Sequence, residues 1–373
     1  MTKGQNLIRI DCLIYQEMAD SLNEVFKHLA LPEIFIRSAR AVVFREKHSR
    51  FFNQRNKLKL EESPIQFFTF YLPPEHELKI LSFIADKADL TIPGRGSVFS
   101  TPVTIYRKTP LVFNEEVLGN LPQPSITPSK NLTCLVAIVN RGEGNDLAKA
   151  LLQTGRALPV ITYGTGVGLR DKLGLLRITI SAEKEIVQAL VASHDAEANF
   201  NRMAEAANLD YPGKGFLYSY PVSGGILDTR MIRGRAFYLA SMEQIVSAID
   251  TMKGHSEWRR DSPLRKLRGL EKRATWDNLR ILSRESMGHE KTQAVMNLGA
   301  GGATQCRLRY YDPGNETDRT ISHEREINDL VISEETRNRI FELIDEGEDI
   351  IELSPVDRIS AFRQTTKKKE KSP

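Results

Sequence analysis

The sequence predicts an α+β fold built from tandem βαββαβ units in ferredoxin-like order. Three observations carry that expectation. First, Leu90–Val103 (LTIPGRGSVFSTPV) and Leu209–Val222 (LDYPGKGFLYSYPV) align without a gap. They share Pro-Gly-basic-Gly, an apolar-aromatic pair, Ser and Pro-Val, which marks an internal repeat. Second, each copy follows a strand-like run and a helical run. Phe68–Leu72 precedes LKILSFI, and Leu176–Ile180 precedes EIVQALV. Third, a fainter copy runs from Ile327–Ile332 through RIFELI to Asp349–Val356 (DIIELSPV), and Ala294–Cys306 parallels Ala150–Thr162.

The second unit spells the order out. Leu132–Val139 is rich in strand formers. Asp146 then caps a helix whose apolar face is Leu147, Ala148, Ala150, Leu151 and Leu152, and Gly155 ends it. Val160–Tyr163 and Leu175–Ile180 read as strands two and three. Ser181 opens a second helix, with Glu183 and Glu185 at its positive end, and Phe216–Val222 is the last strand. This is the split βαβ order. The chain divides into unit one (1–115), unit two (116–234), a helix and basic linker (235–274), a degenerate unit three (275–362) and a charged, disordered tail (363–373). In the linker, Ser241–Gln244 forms a capping box, and Met242, Ile245, Val246, Ile249 and Met252 form an apolar stripe.

Composition bounds the function. The 373 residues carry 52 basic and 48 acidic side chains, so the net charge of +4 does not demand a nucleic-acid partner. No apolar run approaches the ~18–20 residues of a membrane helix, so no membrane insertion is expected. The segment MTKGQNLIRIDC lacks a signal-peptide core, and three scattered cysteines suit a reducing compartment. A cytoplasmic address follows. Cys12 and Cys134 fall in first strands, where small buried hydrophobes are expected.

The repeated loop is the main functional candidate. Gly94, Arg95 and Gly96 in unit one match Gly213, Lys214 and Gly215 in unit two. Such glycines bring backbone close to a ligand, and exposed N–H groups beside one cation form an anion site. A tight turn with a solvated cation explains the same residues. A second cluster, Tyr163–Arg170 (YGTGVGLR), fits neither GxxxxGK[ST] nor GxGxxG and reads as a glycine loop after strand two. Unit three carries Glu346, Gly347, Glu348 and Asp349 where unit two has Pro-Gly-Lys-Gly, and acidic groups there repel phosphate.

The glycine loop after strand two, Pro212–Phe216, Pro221-Val222, and the trailing Arg230 and Arg233 together resemble the PII nitrogen-regulatory signalling superfamily. The similarity is best over 129–234, covers mainly the second half of unit one, and is an outline in unit three. The resemblance implies a non-enzymatic regulator. An adenine nucleotide (ATP, ADP or AMP), with Mg as an optional companion, would sit in clefts between units. Loop remodelling would then control a partner protein, such as a transporter or an enzyme. Carried over, Gly213, Lys214 and Gly215 would cradle phosphates, with Gly94, Arg95 and Gly96 as the matching set. Gly164, Thr165 and Gly166 would form the opposing loop base, and Arg230 and Arg233 the terminal arginines. Three units in one chain would close a monomeric pseudo-trimer; a homo-oligomer is the other arrangement. The chain departs from the family in having no Gln within Tyr163–Arg170 to hold magnesium and 2-oxoglutarate. A basic, aromatic insertion, Arg45–Lys59, stands at the interaction loop of unit one.

Two other readings compete. A slow nucleotide phosphohydrolase needs a base or metal carboxylates, and Asp171 is the nearby acid. An RNA or anionic-surface binder draws on Phe51, Phe52 and the basic stretch 258–284, but lacks an RNP1 signature.

Overall fold

A computed structural model describes residues 4–47, 57–154, 157–167, 182–228, 232–233, 276–311, 323–340 and 349–361. The linker helix, the basic stretch before 276, the tail, Asp171, Arg230, Glu346–Glu348 and most of the 45–59 insertion lie outside these residues.

In the first third, β1 (Gln5–Tyr15), α1 (Ala19–Leu29), β2 (Ile34–Lys47), β3 (Lys57–Leu72), α2 (Glu77–Lys87) and β4 (Gly96–Tyr106) follow one another, then the short α3 (Glu115–Gly119). The second third holds β5 (Leu132–Asn140), α4 (Gly144–Leu152), β6 (Pro159–Val167), β7 (Glu183–Ala192), α5 (Ala196–Ala206) and β8 (Gly215–Val222), trailed by β9 (Gly224–Ile226) and β10 (Ile232–Arg233). The last third holds β11 (Trp276–Arg284), α6 (Gly288–Asn297), β12 (Ala303–Tyr311), β13 (His323–Ser333), α7 (Glu334–Ile340), β14 (Ile350–Val356) and β15 (Arg358–Ala361).

The expected architecture of tandem α+β ferredoxin-like modules is corrected. The strands do not form separate sheets. Among the described residues they join one sheet, antiparallel except where β10 lies on β2, that closes into a nine-strand barrel with six further strands. The ring runs β2-β3-β1-β4-β14-β11-β13-β12-β6 and returns to β2 through Arg40↔Ile161 and Ala41↔Val160. The seams between thirds are strand ladders. Ile351–Leu353 pair with Tyr106–Thr104, Ala303–Gln305 with Val167–Thr165, and Arg309–Tyr311 with Ile36–Ile34. Closure removes free strand edges, which an isolated α+β unit would leave exposed. A run of strand, helix and strand signals specifies elements but not whether their edges pair onward, so the sequence order alone did not reveal the ring.

One element is also reassigned. The run EIVQALV, expected to be helical, is strand β7, paired on one side with β5 and on the other with β6. Its Ile186–Val191 are all buried. The β-branched Ile186, Val187 and Val191 outweigh the helix-favouring Glu and Gln, because both faces of a central strand are covered. The helix instead spans Ala196–Ala206, after Asp195. In α4 the cap position is Glu143, and Asp146 lies in the first turn.

The sheet splits the core in two. On one face of the sheet, Leu7, Leu13, Phe67, Phe99, Tyr218, Val136, Leu282 and Ile327 bring all three thirds into one cluster. On the other face, helix pairs cover the sheet. Leu22, Phe26, Ile80 and Ile84 seat α1 and α2; Leu147, Leu151, Phe200 and Met203 seat α4 and α5; Val295, Met296 and Ile340 seat α6 and α7. Each such side chain contributes about 1.5–3 kcal/mol on burial. Among the described residues, no helix is long and apolar enough to cross a membrane.

Candidate functional site

The two Pro-Gly-basic-Gly loops start β4 and β8. Gly94 and Gly96 have φ of +86° and +137°, and Gly213 and Gly215 have +74° and +146°. L-residues with a side chain rarely adopt these values. Space excludes a side chain as well. A Cβ on Gly96 would lie 2.2 Å from the Leu13 carbonyl oxygen, and one on Gly215 2.3 Å from that of Ile138. The second glycine of each loop is therefore needed for β4 to pair with β1 and β8 with β5. The first glycine and the basic residue are left to the loop surface.

The two loops differ in what covers them. At the first, the Gly94 N–H donates to Asp228 Oδ1 at 2.8 Å, and Arg95 Nη1 lies 2.7 Å from Met18 Sδ. At the second, Gly213 is exposed and Lys214 half-buried. Lys214 Nζ donates to Glu143 Oε1 at 3.0 Å, and Asn140 Nδ2 donates to the Gly213 carbonyl at 3.2 Å. In the last third the charges are exchanged: Lys291 Nζ, on α6, donates to Asp349 Oδ2 at 2.6 Å.

Gly164, Thr165 and Gly166 are strand residues in β6, on a seam. Gly164 and Thr165 pair with Lys184 and Glu183 of β7; Thr165 and Gly166 pair with Gln305 and Thr304 of β12. A Cβ on Gly164 would lie 2.8 Å from Thr304 Cγ2, so its smallness lets β12 approach. They reach the same end of the sheet as Gly213 through a relay: Gly164 pairs with Lys184, whose Nζ donates to Asn140 Oδ1 at 2.6 Å, and Asn140 reaches Gly213. β7 and β5 stand between the two glycine clusters. The Arg233 backbone pairs with Arg45 of β2, and β3 and β1 separate β2 from β4.

The strand trailing each last strand, or that strand's own end, lies on another third. β9 pairs with β4, β15 pairs with β8, and the end of β4 pairs with β14. The pairing runs Ala361↔Phe216, so β15 ends beside the second loop.

Two carboxylates occupy the turns that open α4 and α6. Glu185 Oε2 accepts from the N–H groups of Gly142 (3.0 Å) and Gly144 (2.7 Å), while Arg40 Nη2 donates to its Oε1 at 3.0 Å. Glu326 accepts from Ser286 (3.1 Å) and Gly288 (2.7 Å) and from Gln305 Nε2 at 2.5 Å. These helix N-termini, ordinarily suited to an anionic ligand, hold the chain's own acids.

A charged cluster inside the barrel escaped the sequence reading. Arg9 pairs with Asp11 at 2.9 Å and with Glu352, which also accepts from Tyr71 Oη at 2.6 Å. Thr69 Oγ1 donates to Asp11 Oδ1 at 2.7 Å, and Arg280 pairs with Asp329 at 3.3 Å. Burial alone disfavours charge on Arg9, but Asp11 and Glu352 outweigh it and hold its pKa well above the ordinary range. Burial likewise opposes ionisation of Asp11, yet Arg9 and Arg280 bring its pKa below the usual value. Burial pushes Tyr71, Tyr218 and Tyr220 well up, and raises the thiols of Cys134 and Cys306 to about 12 and about 11. All three cysteines are free and buried, which suits packing rather than nucleophilic chemistry. The signal was present as Arg9 and Asp11 two apart within the otherwise apolar run Leu7–Ile14.

Glu75, His76 and Glu115 bring ligand atoms within 4.8 Å of one another, with His76 Nε2 2.8 Å from Glu115 Oε2. An imidazole in that set favours a transition metal over the oxygen-loving Mg²⁺ expected with a nucleotide. Compared with known proteins, the chain matches no family model, and no curated protein matches it.

Proposed function

We propose that this protein is a regulatory binding protein that takes the phosphates of an adenine nucleotide at the second glycine loop, Tyr211–Gly215. The observation that carries the reading is the open loop. Gly213 is exposed, and among the described residues Lys214 is paired with a partly exposed carboxylate, Glu143. A phosphate there replaces Glu143 as the partner of Lys214 and gains charge-assisted contacts. Because β15 of the last third pairs with β8 beside the loop, a ligand at this place would lie next to two of the three thirds of the chain. Differential contact of that kind is what shifts a population between conformers and so alters affinity for a partner protein.

The test is a thermal melt of the full chain with ATP, ADP and AMP at millimolar concentration. A ligand at 100 times its Kd adds about 2.7 kcal/mol to stability, so the melting temperature rises. Lys214→Ala is expected to abolish the rise. No shift with any of the three nucleotides refutes the reading.

A further inference from the structure

The two glycine loops match in sequence but differ in occupancy. Immediately after β9 has laid Gly224–Ile226 along β4, Asp228 turns in toward the first loop. Its backbone N–H donates to Ser97 Oγ at 2.8 Å, and its carboxylate receives the Gly94 N–H at 2.8 Å. Asp228 is 5% exposed. The space left beside it, bordered by Gly96, Ser97, Gln188 and Leu227, is a cavity of about 20 Å³, room for one water. At the second loop, among the described residues, no carboxylate is seated on the Gly213 amide, and Gly213 faces solvent. The last third presents an acid of its own, Asp349, bound to Lys291.

We infer that Asp228 is an internal occupant of the first loop's anion position, and that it closes the cleft between the first and second thirds to phosphate. A carboxylate fixed on the Gly94 amide both uses the donor that a phosphate oxygen would need and repels the incoming charge. The three corresponding places, before β4, β8 and β14, are then distinct: the first has Asp228 on its amide, the second has its glycine amide uncovered by any carboxylate among the described residues, and the third carries its acid, Asp349, in the loop itself. This rests on the reading of the second loop as the nucleotide site, and it sets the number of nucleotides at one per chain.

The test is calorimetric titration of the full chain with ATP and, separately, with inorganic pyrophosphate. The wild type is expected to bind one ATP and Lys214→Ala none. Asp228→Ala is expected to bind two, and the double variant Asp228→Ala/Lys214→Ala one. Adding Arg95→Ala to that double variant removes the remaining site. Pyrophosphate follows the same pattern. Asp228→Asn keeps an acceptor for the Gly94 N–H while losing the charge, so it serves if the alanine variant does not fold, and it should gain a second, weaker site. Two sites in the wild type overturn the inference. So does an unchanged stoichiometry in both Asp228 variants with both probes. A wild type that binds no nucleotide, beside an Asp228→Ala variant that binds pyrophosphate, supports the plug and refutes the reading of the second loop.

Discussion

Glu185 shows how a single side chain decides what a glycine-rich turn does. Its carboxylate satisfies two backbone donors at the start of α4, and Arg40 from the first third supplies the matching charge. Gly144 has no room for a larger residue, since a Cβ there would lie 2.6 Å from Glu185 Oε2. Gly144→Ala is therefore expected to destabilise the protein by about 1–3 kcal/mol, the usual cost of overpacking. Glu185→Ala leaves two amides and Arg40 Nη2 without their acceptor, while Arg40 Nη1 keeps Glu62 and Asn145, and a loss of about 3 kcal/mol is expected. Urea denaturation measures both, and a change below ~0.5 kcal/mol in either would contradict this role. Sequence reading found such glycines but not their reason. Gly96 and Gly215 are required because a carbonyl on the neighbouring strand lies where a Cβ would go, and that neighbour comes from a strand more than 75 residues earlier. A glycine required by a strand contact and one required by a ligand look alike in a sequence.

At the scale of one element, β1 carries the clearest case. Leu7 and Leu13 face the barrel interior, whereas Ile8, Ile10, Cys12 and Ile14 face the helices. Arg9 and Asp11 share the interior parity and are 1% and 0% exposed. The alternation was legible. That its polar face points inward was not, because only closure of the ring buries both faces of the strand. The consequence is a pH dependence. Asp11 has a folded-state pKa below its ordinary 3.8, so its contribution is complete above that value and is lost as pH falls through the lowered one. Urea midpoints measured from pH 5 to pH 2 are expected to fall less steeply for Asp11→Asn than for wild type. The difference is at most one proton, about 1.4 kcal/mol per pH unit. Parallel curves would show that folding leaves the Asp11 pKa unchanged, and a wild-type curve falling less steeply than that of Asp11→Asn would show that it is raised.

For the whole molecule, the order of elements in each third was legible, along with the repeated loop that opens β4 and β8. The barrel was not, because seam ladders such as Ile351–Leu353 on Tyr106–Thr104 join residues with no shared sequence signal. The last strand tests how much β8, outside the ring, depends on a borrowed edge. Ending the chain after Val356 removes β15 from β8 and the Arg358–Glu197 ion pair. The uncovered edge Phe216–Ser219 is then a template for another chain. Sedimentation is expected to show a concentration-dependent mass absent from the full chain, and an unchanged mass would count against an edge-covering role for β15. The Arg9–Glu352 pair carries one more consequence, for synthesis on the ribosome. The two partners lie 343 residues apart. At roughly 5–20 residues per second, Arg9 emerges about 20–70 s before Glu352 is made. Throughout that interval the nascent first third holds an inward-facing arginine without this acid, so it is then that a chaperone or a premature pairing has its opportunity.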